Sequence, residues 1–97
     1  MKDVEWAWDP RKALTNKHKH GVSFELAQRV FDDPWLLSME DPYDAELRWR
    51  SVGVVATVTL LVVHTAPEMD QALGNERGRI ISARKATRSE RMAYENS

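Results

Sequence analysis

The sequence predicts an α+β domain, with an N-terminal strand, two helices, a three-stranded antiparallel meander and a short C-terminal helix. Three observations predict it. Apolar residues alternate with a period of two at both ends of the chain and through its centre, around Val4–Trp8, Val52–Val63 and Arg79–Lys85. Helix-start signals stand at Asp9-Pro10, Ser23 and Thr87-Arg88-Ser89-Glu90. A helix-stop signal, Lys19-His20-Gly21, falls between the first two of them.

Val4-Glu5-Trp6-Ala7-Trp8 places Val4, Trp6 and Trp8 on one side, as a half-buried first strand requires, and both tryptophans are expected in the core. Asp9 can cap the following helix, and Pro10 is preset for its first position, where a missing N–H costs nothing. The helix runs from about Pro10 to His20, with only Ala13 and Leu14 expected to face inward, while Lys12, Asn16, Lys19 and His20 share another face. Gly21 can take the left-handed conformation that closes it, Lys19 and His20 complement its negative end, and Ser23 caps the next helix.

The second helix spans about Phe24 to Asp32, with Phe24, Ala27, Val30 and Phe31 as its apolar stripe, and Asp33-Pro34 ends it. Trp35 to Asp44 reads as a loop with room for a short extended piece at Leu36 to Met39, and Asp41-Pro42-Tyr43-Asp44 is turn chemistry. Glu46–Ala56 and Thr57–Thr65 are rich in β-branched residues and predict a hairpin. The second of these is apolar on both faces and is expected to be central, with His64 beside core residues. Ala66 to Gly78, with Pro67, Gly74 and Gly78, reads as a long mobile connection. A last strand, Arg79–Lys85, alternates Ile80, Ser82 and Arg84 against Arg79, Ile81 and Ala83, and Thr87 and Glu90 then form a capping box.

At 97 residues the chain is expected to be a single domain over 1–97. It has no cysteine, so disulfides and thiolate metal sites are excluded, and the acidic, apolar-poor N-terminus is not that of a secretory signal. The longest apolar stretch, Val52–Val63, is too short to span a bilayer as a helix, so a soluble protein without a membrane partner is expected, and the lack of cysteine fits a reducing cytoplasm. A net charge of −1 argues against a generally basic nucleic-acid binder, yet the charges are segregated. Arg11, Lys12, Lys17, His18, Lys19 and His20 cluster early, acidic residues fill the middle, and Arg77, Arg79, Arg84, Lys85, Arg88 and Arg91 crowd the end. A fold that joins the two ends would carry one basic face.

There is no glycine-rich phosphate loop, and the three histidines do not form a recognisable metal motif, so neither cofactor nor metal is called for. Arg, Lys and His around a small sheet suit one reaction. RNA is cut without a metal when its own 2′-hydroxyl attacks the adjacent phosphate, given proton transfer by His or Lys and Arg contacts to the phosphate oxygens. Composition and spacing alone do not single that reaction out.

A stronger pointer is a set of residues read together: Trp6 or Trp8 before Asp9, then Lys12 and Asn16, then Lys19-His20-Gly21-Val22-Ser23-Phe24 with Ala27 and Phe31-Asp32. The set resumes at Arg48-Trp49, Gly53, Arg79-Ile80-Ile81-Ser82-Ala83-Arg84, Glu90 and Tyr94. In these residues the chain resembles the BrnT family of toxins from type II toxin–antitoxin systems, small ribonucleases related in fold to the RelE toxins. Leu47 stands before Arg48 where the family often has an acidic residue, and the connection before Arg79 is longer and more acidic than expected.

The resemblance implies cytoplasmic mRNA cleavage that halts translation. It also implies neutralisation by a BrnA-like antitoxin, whose ribbon-helix-helix part binds operator DNA, in a heterotetramer. Taking the resemblance together with the basic clusters and the place of Arg84 at the end of the last strand, Lys19, His20, Arg48, Arg79 and Arg84 are the expected catalytic residues, and Lys12, Lys17 and Tyr94 the expected RNA contacts. The alternative is a catalytically weak or inactive toxin-like module that survives as antitoxin partner or co-repressor.

Overall fold

The computed structural model describes residues 4–42 and 47–97. The expected turn at 41–44, the strand start at Glu46 and any ion pair of Arg48 with Asp44 or Glu46 therefore lie outside the described residues. The elements are β1 (Val4–Ala7), α1 (Pro10–His20), α2 (Phe24–Ala27) continued by a 3-10 segment (Gln28–Asp32), β2 (Leu37–Asp41), β3 (Arg48–Val55), β4 (Val58–Thr65), β5 (Glu68–Asp70), β6 (Asn75–Lys85) and α3 (Arg88–Glu95).

The strands form one mixed sheet in the order β1-β6-β4-β3-β2, with β5 also pairing to β6. β1 runs parallel to β6, whereas the β2–β3, β3–β4 and β4–β6 pairs are antiparallel. The class is α+β as expected, but the three-stranded meander is extended on both sides. The extended piece at Leu36–Met39 is a paired strand, Leu37–Asp41, and the connection expected over 66–78 is largely a hairpin of β5 and the first half of β6. Pro67 and Gly74 were misleading signals there. Pro67 precedes the hairpin, Gly74 sits in its turn at φ 71°, and the Asp70 carboxylate accepts from the backbone N–H of Ala72 and Leu73, which satisfies that turn locally.

The helix starts follow the sequence signals closely. Asp9 accepts from the N–H of Arg11, Ser23 from Leu26, and Thr87 and Glu90 form a reciprocal capping box. Gly21 closes α1 with φ 72°. The main core lies between the sheet and α1/α2, where Phe24, Ala27, Val30, Leu60, Val62, Ile80 and Ala83 are buried. Trp6 and Trp8 pack against its rim, Trp6 stacked on Phe31 at 4.1 Å and Trp8 edge-on to Phe24 at 5.9 Å. Gly78 is required opposite Trp6, because a Cβ at 78 would collide with the indole ring. Leu14, expected to face inward, is 68% exposed, so α1 contributes Ala13 to that core and little else apolar.

A bulge corrects the expected alternation of β6. His64 pairs with Ile80 but Val63 pairs with Ser82, so Ile81 is skipped and Ile80 and Ala83 fall on the same, helix-covered face. The opposite face carries a smaller cluster of Val52, Leu61 and Ala86, with Val63 and Tyr94 against it, and α3 covers it. Ser82 and Arg84 belong to this second face of β6.

Candidate functional site

The join between α1 and β6 rests on Asn16, which is 6% exposed. Its side-chain N–H donates to the carbonyls of Ala83 at 2.8 Å and Val22 at 3.0 Å, and its oxygen accepts from the Ala83 N–H at 3.1 Å. Ala83 lies opposite Val62 on the β4 side, and its N–H and C=O point to the other edge, beyond the end of β1. One amide side chain therefore does there what a neighbouring strand would do.

This lock sets the basic face of α1 against the bulged part of β6. A hollow of about 310 Å³ lies between them, lined by Arg11, Lys12, Lys19 and His20 from the helix and by Ile81 and Ser82 from the strand. Residues 12, 16, 19 and 20 share one helical face, and 11, 15 and 19 follow each other at four-residue spacing on its flank. Arg11, Lys12 and Lys19 are exposed and His20 is half-buried, so the hollow presents cationic groups to solvent over a partly apolar floor. It can attract and hold an anion, and it contains a histidine and a lysine for proton transfer.

Arg84 is two residues beyond Ser82 on the same face, roughly 7 Å further along the strand. Its guanidinium is already engaged. Nη1 donates to Glu90 Oε1 at 2.8 Å and to the Lys85 carbonyl at 3.3 Å, and Nη2 donates to Glu90 Oε2 at 2.9 Å. These bonds from Arg84 are the largest influence on Glu90 and hold its carboxyl down at about 2, while the carboxylate in turn raises Arg84. Glu90 also accepts from the Thr87 N–H, so it serves Arg84 and the start of α3 at once.

The other expected residues are distributed over the molecule. Arg79 lines a separate hollow with Thr65 and Arg77, its N–H donates to Thr65 Oγ1, and Arg48 sits across the β3–β4 ladder from Thr65. Lys17 lies on a different side of α1, beside Trp8 and Glu25. The Tyr94 hydroxyl donates to Asp33 at 2.5 Å, and that hydrogen bond to the carboxylate is the main reason its own ionisation is pushed up to about 12. Burial works to raise Asp33, but Tyr94 and the N–H groups of Val54 and Trp35 together hold it below the ordinary carboxylate value.

The structure thus brings Lys12, Lys19 and His20 together, with Arg84 adjoining, and puts Arg48 and Arg79 in a second group near the C-terminal end of β4. Arg11 and Ser82 join the first group, although neither is among the catalytic or RNA-contact residues expected from the sequence. Arg11 could have been found from its four-residue spacing to Thr15 and Lys19, whereas Ser82 depends on the bulge, which leaves no signature in the sequence.

Residues 8–90 match the family described as the ribonuclease toxin, BrnT, of type II toxin–antitoxin systems. The chain belongs to the BrnT family. The BrnT match includes the basic hollow, both arginine groups and the Arg84–Glu90 pair, and it stops before Tyr94. No curated protein sequence matches the chain. This BrnT chain has, among its described residues, no helix long and apolar enough to cross a membrane and no grouping of three or more His, Asp or Glu that could hold a metal ion.

Proposed function

We propose that this BrnT chain acts over residues 1–97 as one toxin domain of RelE-like kind that cleaves mRNA internally in the cytoplasm and so halts translation. The single observation that carries the reading, beside family membership, is the hollow in which Lys12, Lys19 and His20 meet the exposed edge of β6. In the proposed reaction the 2′-hydroxyl gives its proton to one of Lys19 and His20, its oxygen bonds to phosphorus, and the P–O5′ bond breaks. The leaving 5′-oxygen takes a proton from the other, so no metal is needed. Arg84 serves the oxygens of the reacting phosphate, Arg48 and Arg79 those of another phosphate of the same strand, and Lys12, Lys17 and the Tyr94 ring hold the flanking RNA.

Membership of a type II toxin–antitoxin family implies an antitoxin. We propose that it is BrnA-like, with a ribbon-helix-helix part through which a heterotetramer reaches operator DNA. One observation favours the second reading, a weak or inactive module kept as antitoxin partner or co-repressor: the Arg84 fork is filled by Glu90. Incubation of the purified chain with end-labelled RNA, with and without EDTA, separates the two. Cleavage that persists in EDTA supports the first, strict dependence on a divalent ion overturns its chemistry, and no cleavage in either condition selects the second.

A further inference from the structure

Away from the basic hollow, the helix-covered side of the sheet ends in a cleft of about 610 Å³, within the size range of small-molecule sites. Trp6, Phe31, Leu36 and Pro67 give it apolar walls, the buried His64 and half-buried Gln28 supply polar groups, and the exposed Ser38, Arg29 and Asp32 complete the lining. His64 is 5% exposed, and its ring meets both Trp6 and Phe31 edge-on.

The hydrogen bonds behind the cleft have a fixed direction. Nδ1 of His64 lies 2.8 Å from the Thr65 carbonyl, which can only accept, so Nδ1 carries the proton. Burial lowers the basicity of the ring, against the Thr65 hydrogen bond, and so favours the neutral form, in which Nε2 is an acceptor. Ser51, 2.6 Å away and fully buried, must then donate to Nε2, and Ser38, 2.7 Å from Ser51, must donate to Ser51. The proton of Ser38 is committed inward, so its oxygen faces the cleft with lone pairs only. A ligand group that meets it has to be a donor.

The neighbourhood says where such a ligand comes from. Thr65, whose carbonyl ends the chain of hydrogen bonds, also accepts from the Arg79 N–H and pairs with Arg48, so the second arginine group and the cleft lie on two sides of the same strand end. An RNA strand that passes round this strand end would meet the arginine group with a phosphate and the cleft with a base. We propose that the cleft receives a nucleobase bearing an exocyclic amino group, whose N–H donates to Ser38 Oγ. RNA as the source of the base rests on the ribonuclease reading; the demand for a donor rests on the cleft alone. Arg48 and Arg79 then serve substrate selection, at a distance from bond breaking.

The test is a titration of the full chain with adenosine and with N6,N6-dimethyladenosine, which keeps the ring but has no amino N–H, followed by amide NMR shifts. Adenosine is expected to saturate with shifts at Ser38 and Leu36, and to bind about tenfold more tightly than the dimethyl analogue, the equivalent of one lost hydrogen bond. Ser38→Ala is expected to abolish that preference, and Ser38→Thr, which keeps a hydroxyl, to retain it, with thermal melts confirming that both fold. Absence of saturable adenosine binding, or equal binding of the two nucleosides, overturns the inference. RNA cleavage assayed on the same preparation separates the two claims. Cleavage without adenosine binding sinks the base site alone, and selective adenosine binding without cleavage sinks the ribonuclease reading alone.

Discussion

Arg84 and Glu90 face each other through two parallel hydrogen bonds, of 2.8 and 2.9 Å, across the corner where β6 passes into α3. A carboxylate occupies the fork in the manner in which a phosphate would, so an incoming phosphate meets an arginine that is rigidly oriented and already neutralised. Glu90 belongs to the same capping box that starts α3, and displacing it loosens that helix.

The pair should be visible in acid. Glu90 is held at about 2 against an ordinary value of 4.5, so its contribution to stability is complete above pH 4.5 and is lost as pH falls towards 2. Urea unfolding midpoints measured across that window should fall more steeply for wild type than for Glu90→Gln. At neutral pH Glu90→Gln should cost about 1–2 kcal/mol, the scale of a lost cap with one charged hydrogen bond. Equal pH slopes for the two proteins would show that the pair does not persist in solution.

Asn16→Ala should be among the more damaging single changes in α1, although the residue is polar and sits on a helix that buries little. It strands the Ala83 N–H and two carbonyls, for a cost of about 2–4 kcal/mol. Asn16→Asp keeps the shape but removes the donor, and should be no better. Denaturant unfolding measures both, and a loss smaller than that of an ordinary surface substitution would contradict the role given to this side chain.

Tyr94 should ionise late. Its ordinary value of 10 is raised to about 12, so the neutral phenol stabilises the fold fully below pH 10, and that contribution fades as pH rises towards 12. Difference absorbance between wild type and Tyr94→Phe isolates its titration from that of Tyr43, the other tyrosine in the chain. The same substitution should release the Asp33 carboxyl upward and destabilise by about 1–2 kcal/mol.

Within the proposed site, Lys19→Ala and His20→Ala should each lower RNA cleavage by about 10²–10⁴-fold and leave stability within about 0.5 kcal/mol of wild type. Arg84→Ala should lower cleavage too, but it also costs stability because Glu90 is left without its partner, so its rate has to be read beside its unfolding curve. Growth arrest by all three variants at the wild-type level would remove these residues from the site.

Local signals were legible in the sequence wherever one residue answers to its neighbours. Asp9-Pro10, Ser23 and the Thr87–Glu90 box mark helix starts because capping works within one turn, and the alternation of Val58–Thr65 marks a strand buried on both faces. What was not legible depends on partners far along the chain. Asn16 reads as one more polar residue on a basic face until Ala83, 67 positions away, is placed beside it. The bulge at Ile81 is created by the mismatch of β4 and β6, so strict alternation misassigned the faces of that strand. Pro67 and Gly74 flank β5, whose pairing with β6 no local rule reports. Lys12, Lys19 and His20 line one hollow because helical spacing puts them on one face, while the separation of Arg48 and Arg79 from them follows from strand order, which the spacing of residues along the chain does not encode.

The amide of Asn16 has one more consequence. β6 runs on past the end of β1, and a bare strand edge of that kind is where a second chain can add a strand and begin to aggregate. At Ala83 both backbone groups are already taken by a side chain of the same molecule, so at this position the edge has nothing to offer an intruding strand. A residue that reads as glue between helix and sheet is also a stopper, one that helps a small mixed sheet remain solitary until its proper partner arrives.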